Sequence, residues 1–218
     1  MAKLYFRYGA MNSGKSTALL QAAFNYEERG QRVLLAKPFI DSKGGGRIVS
    51  RLGVSRDVDL LVPADADLFE LIKDRARGHD SAALLPDVPA AAISCLLVDE
   101  AQFLTEAQVD DLLQVAVELD IPVLAYGIRT DFLTISFPGA RRLLEIAHSL
   151  EELKTICRCG RKAMFNGRKV AGQFIFTGEQ VAIDGVEVGY ESVCPSCYLN
   201  AGGVMPFRAR REQGEGNG

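Results

Sequence analysis

A lysine and a hydroxyl residue directly after a glycine-bounded turn can hold phosphate. The run Gly9, Ala10, Met11, Asn12, Ser13, Gly14, Lys15, Ser16 has that arrangement, matching G-x-x-x-x-G-K-[ST] at every fixed position. Glycines let the backbone curl with its N–H groups inward, and a helix starting there adds positive potential for the phosphates. Lys15 would reach the outer phosphates, and the Ser16 hydroxyl would help hold a magnesium ion. A second pair, Asp99 and Glu100, ends the apolar run Leu96, Leu97, Val98. Asp99 is the natural partner, directly or through water, of the ion held by Ser16. Glu100 is then free for proton chemistry, because a carboxylate near a transferring phosphoryl group can accept the proton of an attacking hydroxyl or water. On these residues alone a kinase and an ATPase stand equal.

A third set is made of sulfur. Cys157 and Cys159 form a C-x-C pair, and Cys194 and Cys197 a C-x-x-C pair, with a hairpin-rich stretch between them. Four thiolates in two close pairs suit a closed tetrahedral zinc site with no open position, hence a structural metal. The first pair is tighter than the usual knuckle, and reduced thiols or a redox pair are the alternatives. Cys95 lies inside an apolar strand and reads as core packing. His79 and His148 read as surface or helix residues.

The elements that must position these groups alternate. Leu4 to Tyr8 is strand-like, Thr17 to Glu28 helical, Gly30 a helix end, and Arg32 to Lys37 a second buried strand. Pro38 to Arg56 is irregular and reads as a mobile loop near the phosphates, with Asp41 and Lys43 its chemically interesting members. Asp65 to Arg77 has helical spacing, and an Ala, Pro and Asp-rich excursion runs to Ala92. Ile93 to Val98 is a strand, Thr105 with Gln108 a capping box for a helix ending near Asp120, and Pro122 to Tyr126 a strand. Gly127 to Phe137 reads as a loop and Ala140 to His148 as a short helix. This alternation predicts an α/β fold with a mostly parallel sheet, whose functional loops leave the C-terminal ends of its strands. After Glu152 the texture changes to short strand-like pieces broken by glycine, a second and smaller unit.

The chain has 218 residues, enough for one core-sized domain plus a small one. Its hydrophobic content of 48% and charged content of 24% are those of an ordinary globular protein. Its apolar runs are too short for a membrane span and its start has no signal-peptide pattern, so a cytoplasmic protein without a membrane partner is expected. A formal charge of -3 gives no electrostatic reason to expect nucleic acid.

With the phosphate loop GAMNSGKS, DEAQF at Asp99 to Phe103, YGIRTDF at Tyr126 to Phe132, ELKTICRCGRKA from Glu152 and GYESVCPSCY at the end, the chain resembles a type II thymidine kinase, particularly bacterial members. The resemblance covers nearly everything from Leu4 to Tyr198. It implies a phosphate-loop NTPase-like domain over 1–151 and a small zinc-binding lasso domain over 152–206; a disordered tail over 207–218 is expected from its polar, glycine-rich end. The implied reaction moves the γ-phosphate of ATP, with Mg2+, to the 5′-hydroxyl of thymidine, giving dTMP in nucleotide salvage, with deoxyuridine as a second acceptor. Glu100 matches the general base, and Asp99, Glu100, Ala101 and Gln102 join the loop on the ATP side. Thymine would be gripped by backbone groups of the lasso at Val181, Ala182, Ile183, Asp184 and Gly185. Tyr190 would lie against the substrate, Phe103 and Phe132 beside base and sugar, and Met11, Ile128 and Asn166 around the methyl group. The resemblance also implies a homotetramer and inhibition by dTTP. Arg129 stands where many relatives carry an acid, Lys43 where many carry arginine, and one extra residue lies between Gln180 and Tyr190.

Two rival readings use the same residues. A nucleic-acid-stimulated ATPase also combines a phosphate loop, an acidic strand end and a zinc ribbon. A non-catalytic nucleotide sensor would leave Glu100 a bystander.

Overall fold

β1 (Leu4–Tyr8) leads through the glycine-bounded turn into α1 (Lys15–Glu27), and Gly30, at φ 69°, reverses the chain into β2 (Arg32–Pro38). A hairpin of β3 (Arg47–Val49) and β4 (Ser55–Asp57) follows, then β5 (Leu60–Val62) and α2 (Leu68–Ala76). Next come β6 (Ile93–Val98), a 3-10 turn over Ala101–Phe103, α3 (Glu106–Glu118), β7 (Val123–Gly127), α4 (Pro138–Ile146) and β8 (Ser149–Glu152). The later elements are short: β9 (Thr155–Ile156), β10 (Lys162–Ala163), β11 (Phe165–Val170), β12 (Gln173–Phe174), β13 (Val188–Val193) and α5 (Pro195–Asn200). This computed structural model describes residues 1–39, 46–77, 92–177 and 188–207. Asp41, Lys43, His79, the five lasso residues from Val181 to Gly185, and residues 208–218 of the expected tail lie outside the described residues.

The chain falls into two compact units. One takes Met1–Tyr8, Gly14–Gly127 and Pro138–Glu152; the other takes Gly9–Ser13, Ile128–Phe137 and Leu153–Gly218. The first unit is built on a six-stranded sheet in the order β5-β2-β6-β7-β1-β8, and every described pairing in it is parallel. Strands buried on both faces need side chains that are apolar without alternation. Accordingly Leu34 and Leu35 in β2, Leu96, Leu97 and Val98 in β6, and Val123 and Ala125 in β7 are all buried. The expected α/β class with a mostly parallel sheet is what forms.

Several boundaries differ from the sequence reading. The helix after the phosphate loop starts at Lys15, since Gly14 at φ 81° supplies the turn into it. The stretch read as loop contains the β3–β4 hairpin, and two sheet strands, β5 and β8, are of three and four residues, too short to show a period. The last helix of this unit stops at Ile146. His148 lies beyond it, its Nδ1 accepting from the Leu4 N–H at 3.1 Å. The capping box at α3 forms as expected: the Thr105 hydroxyl and Gln108 side chain each accept from the other's backbone N–H, both at 3.2 Å.

The second unit has a small core. Cys157, Ala163, Val193, Cys194 and Tyr198 are buried, with Phe165, Phe174 and Phe176 packed on them. β11 is the centre of a three-stranded antiparallel sheet between β12 and β13. So little buried apolar surface seldom holds a fold alone, which gives four clustered cysteines a structural purpose.

Candidate active site

In the sheet unit the acidic pair leaves the end of β6. The Asp99 N–H donates to the Ala36 carbonyl at 2.9 Å, keeping Asp99 beside β2, and Glu100 then takes a left-handed φ of 52° into the 3-10 turn. Non-glycine residues hold that conformation only when their surroundings fix it. Here the fixing group is Gln102, 1% exposed, whose side-chain amide donates to the Glu100 carboxylate. Two glycines give the turn its room. A Cβ on Gly127, at the end of β7, would stand 2.6 Å from Gln102 Oε1, and one on Gly139, in α4, would stand 2.6 Å from the Leu104 carbonyl and 2.7 Å from that of Ala101. The Asp-Glu-Ala-Gln sequence is thus a folded bracket that orients Glu100.

Lys15 and Ser16 open α1, whose first turn contains no acidic residue, leaving the helix N-terminal potential for an incoming anion. Burial pulls the Lys15 ammonium pKa below its ordinary value, while Glu100 and then Asp99 pull it back up. Burial, and next the Glu100 charge, push the Asp99 carboxyl up to about 6, against the opposing effects of a backbone hydrogen bond, Lys37 and Lys15. A carboxylate 4% exposed, at the end of the strand that carries the acidic pair, gains from a hard cation with oxygen ligands. Carboxylate and hydroxyl oxygens such as those of Asp99 and Ser16 are donors of the kind magnesium takes.

The second unit contains the first half of the phosphate loop, the segment Ile128–Phe137 and the zinc-type cysteines. Across β11 and β13, Asn166 faces Ser192 and Arg168 faces Tyr190, so strand alternation puts these four side chains on one face. Asn166 Oδ1 accepts the Met11 N–H at 2.7 Å and its Nδ2 donates to the Thr130 carbonyl at 3.0 Å. The Ser192 hydroxyl donates to the Met11 carbonyl. The Arg168 guanidinium lies over the Phe132 ring at 5.2 Å, and the Tyr198 hydroxyl donates to the Phe132 carbonyl at 2.9 Å. Asp131 accepts from the N–H groups of Leu133 and Ile135, shaping the turn after Phe132.

Of the residues expected around the base, this unit gathers Met11, Ile128, Phe132, Asn166 and Tyr190, while Phe103 belongs to the sheet unit. Ile128 and Phe132 are buried, Tyr190 is half-buried and Phe103 is 43% exposed. On the ATP side, Gly9 accepts no side chain, since a Cβ would stand 2.4 Å from the Leu153 carbonyl. Ala10 is buried, Asn12 sits at φ 65°, and the Ser13 N–H closes a turn on the Ala10 carbonyl at 3.3 Å. Ala101 is buried beneath the bracket. No sequence motif gives a role to Ser192, Arg168, Gly127 or Gly139, although alternation from Tyr190 and Asn166 points to the first two.

The four sulfurs of Cys157, Cys159, Cys194 and Cys197 all lie within 4.8 Å of one another. Four sulfurs on one zinc at about 2.3 Å stand about 3.8 Å apart, so the cluster fits an ion held by four thiolates. Cys194 caps α5, its Sγ accepting the Cys197 N–H at 3.4 Å, and Gly160 at φ 83° turns the chain after the tight C-x-C pair. Cys95 is buried in β6 and is not one of these four.

A family model described as "Thymidine kinase" matches residues 2–198. Relatives described as "Thymidine kinase" include one from Ruegeria pomeroyi, 45% identical over 205 residues, which are 93% of this chain and 96% of the relative. One from Yersinia pseudotuberculosis is 48% identical over 203 residues, covering 92% and 96%. One from Idiomarina loihiensis is 47% identical over 206 residues, covering 94% of this chain and all of its own, 100%.

Proposed function

Because this chain belongs to the thymidine kinase family, we propose that it transfers the γ-phosphate of ATP to the 5′-hydroxyl of thymidine, giving dTMP. The observation that carries the mechanism is the bracket at the end of β6, in which Gln102 holds the Glu100 carboxylate. In that role Glu100 accepts the proton of the 5′-hydroxyl as its oxygen attacks the γ-phosphorus and the bond to the β–γ bridging oxygen breaks, releasing ADP. Lys15 and the amides from Gly9 to Ser16 stabilise charge on the transferring phosphoryl group. Magnesium, held by Asp99 and Ser16, would supply charge neutralisation on the phosphates. Ala101 and Gln102 complete the ATP side through the backbone and the carboxylate they position.

The acceptor side is assigned to Phe103, Ile128, Phe132, Asn166 and Tyr190, with the lasso backbone from Val181 to Gly185 reading thymine O2, N3 and O4. Zinc on the four cysteines holds the small domain together, and a lasso closed over the nucleoside excludes water and so limits ATP hydrolysis. The division into a nucleotide-binding domain over 1–151 and a lasso domain over 152–206 belongs to the same reading. So do deoxyuridine as a second acceptor, a homotetramer, inhibition by dTTP and a cytoplasmic location. No described helix is long and apolar enough to cross a membrane. The family match does not favour the nucleic-acid-stimulated ATPase.

The test is transfer of radiolabelled γ-phosphate from ATP across the four deoxynucleosides and deoxyuridine. Labelled product with thymidine and deoxyuridine, and none with the purine nucleosides, is expected. ATP hydrolysis stimulated more by single-stranded DNA than by thymidine would overturn the assignment.

A further inference from the structure

Met11 is held by both of its backbone polar groups. Asn166 accepts its N–H and Ser192 donates to its carbonyl, and these two residues are direct partners across β11 and β13. One rung of a sheet therefore grips one peptide residue of the phosphate loop. The rung is buried, with Asn166 3% and Ser192 6% exposed, and the Asn166 amide continues to Thr130. Buried polar groups engaged at every end make a rigid arrangement, because any alternative leaves one of them unpaired.

Directly after the gripped residue the loop turns sharply, with Asn12 at φ 65° and Gly14 at φ 81°. Asn12 holds a left-handed conformation, which persists where the surroundings fix it. A loop that must aim its amides at phosphate oxygens binds more tightly when it is set before the ligand arrives.

We propose that Ser192 and Asn166 are positioning residues of the phosphate loop, fixing Met11 through its N–H and C=O so that the amides following it are set for the triphosphate. Nucleotide affinity then depends on the same strand pair that carries Tyr190. This rests on the ATP half of the function above and is independent of which nucleoside is the acceptor.

Calorimetry on the full chain, with a non-hydrolysable ATP analogue plus magnesium and separately with thymidine, tests it. Ser192→Ala is expected to weaken the analogue about fivefold or more, the worth of one ordinary hydrogen bond, and to weaken thymidine, whose methyl group lies near Met11 in the reading above, by clearly less. Ser192→Thr keeps the hydroxyl and restores analogue binding. Unchanged analogue affinity in Ser192→Ala, equal weakening of both ligands, or no restoration by Ser192→Thr would each overturn the proposal. If the alanine variant does not fold, Ser192→Thr against Ser192→Val gives the same comparison, since those side chains share a shape and differ in the hydroxyl. Phosphate transfer by the parent protein tests the function and analogue affinity tests the clamp, so either can fail without the other.

Discussion

The two units hold their working residues by opposite means. In the sheet unit an apolar strand buried on both faces carries Asp99 and Glu100 to its end, and the clearances at Gly127 and Gly139 seat the turn that aims Glu100. In the other unit the core is a handful of side chains around Tyr198, and polar groups fix the backbone: Asn166 and Ser192 on Met11, Asp131 on its own turn, and four thiols in one cluster. Packing against a large core gives a site that withstands loss of a metal and suffers from an added methyl group. Hydrogen bonds and thiolates give one with the reverse sensitivities.

The sharpest test of the division is Glu100→Gln, which changes one proton acceptor and keeps the shape of the bracket. Turnover should fall about 1,000-fold while ATP and thymidine binding stay near parental values, measured by single-turnover transfer and calorimetry. Loss of both affinities with turnover of bound substrate intact would place Glu100 in binding and not in chemistry. Next in size is treatment with a strong chelator, which would strip a zinc ion held by the four cysteines. Amide exchange should then lose protection in β11 and β13 while β1, β2, β6 and β7 keep theirs. Simultaneous loss in both sets would show that the units share one stabilising core.

How much could be read beforehand follows the same division. β1, β2, β6 and β7 were legible because apolar runs between turn residues mark buried strands, and the phosphate loop and acidic pair follow them directly in sequence. The capping box at Thr105 was legible because it is local. β5 and β8 were not, since three or four residues carry no period and their places are decided by the neighbours they pair with. The clamp on Met11 joins residues more than 150 positions apart, and no spacing rule reaches that far. The cysteines are the exception: their chemistry announces a long-range contact because thiolates in pairs have few other uses.

The glycine bracket offers a third way to break the comparison. Gly139→Ala puts a methyl group against the carbonyls of Ala101 and Leu104, atoms that can move only if the whole 3-10 turn moves. An overpacked turn of this kind loses about 1–3 kcal/mol, and the shift of Glu100 should lower kcat about tenfold, with KM for thymidine little changed. A lower melting temperature with kcat intact would mean that the turn absorbs the methyl group without passing the displacement to Glu100.

A last effect concerns Asp99, which the apolar end of β6 keeps 4% exposed with its carboxyl raised from 3.8 to about 6. As pH rises, the unfolded chain releases this proton first. The resulting destabilisation is absent below about pH 4, grows between pH 4 and 6, and is complete above pH 6. A shift of about two pKa units corresponds to roughly 3 kcal/mol as an upper figure. Asp99→Asn removes the charge, so without nucleotide or magnesium its melting temperature at pH 7.5 should exceed the parent's by several degrees, and the gain should vanish at pH 4. The same substitution weakens the donor set for the cation and should lower transfer activity. A functional carboxylate that destabilises the empty fold is what a large apolar core can tolerate. An Asp99→Asn variant no more stable than the parent at pH 7.5 would mean that Lys15 and Lys37 already neutralise the charge.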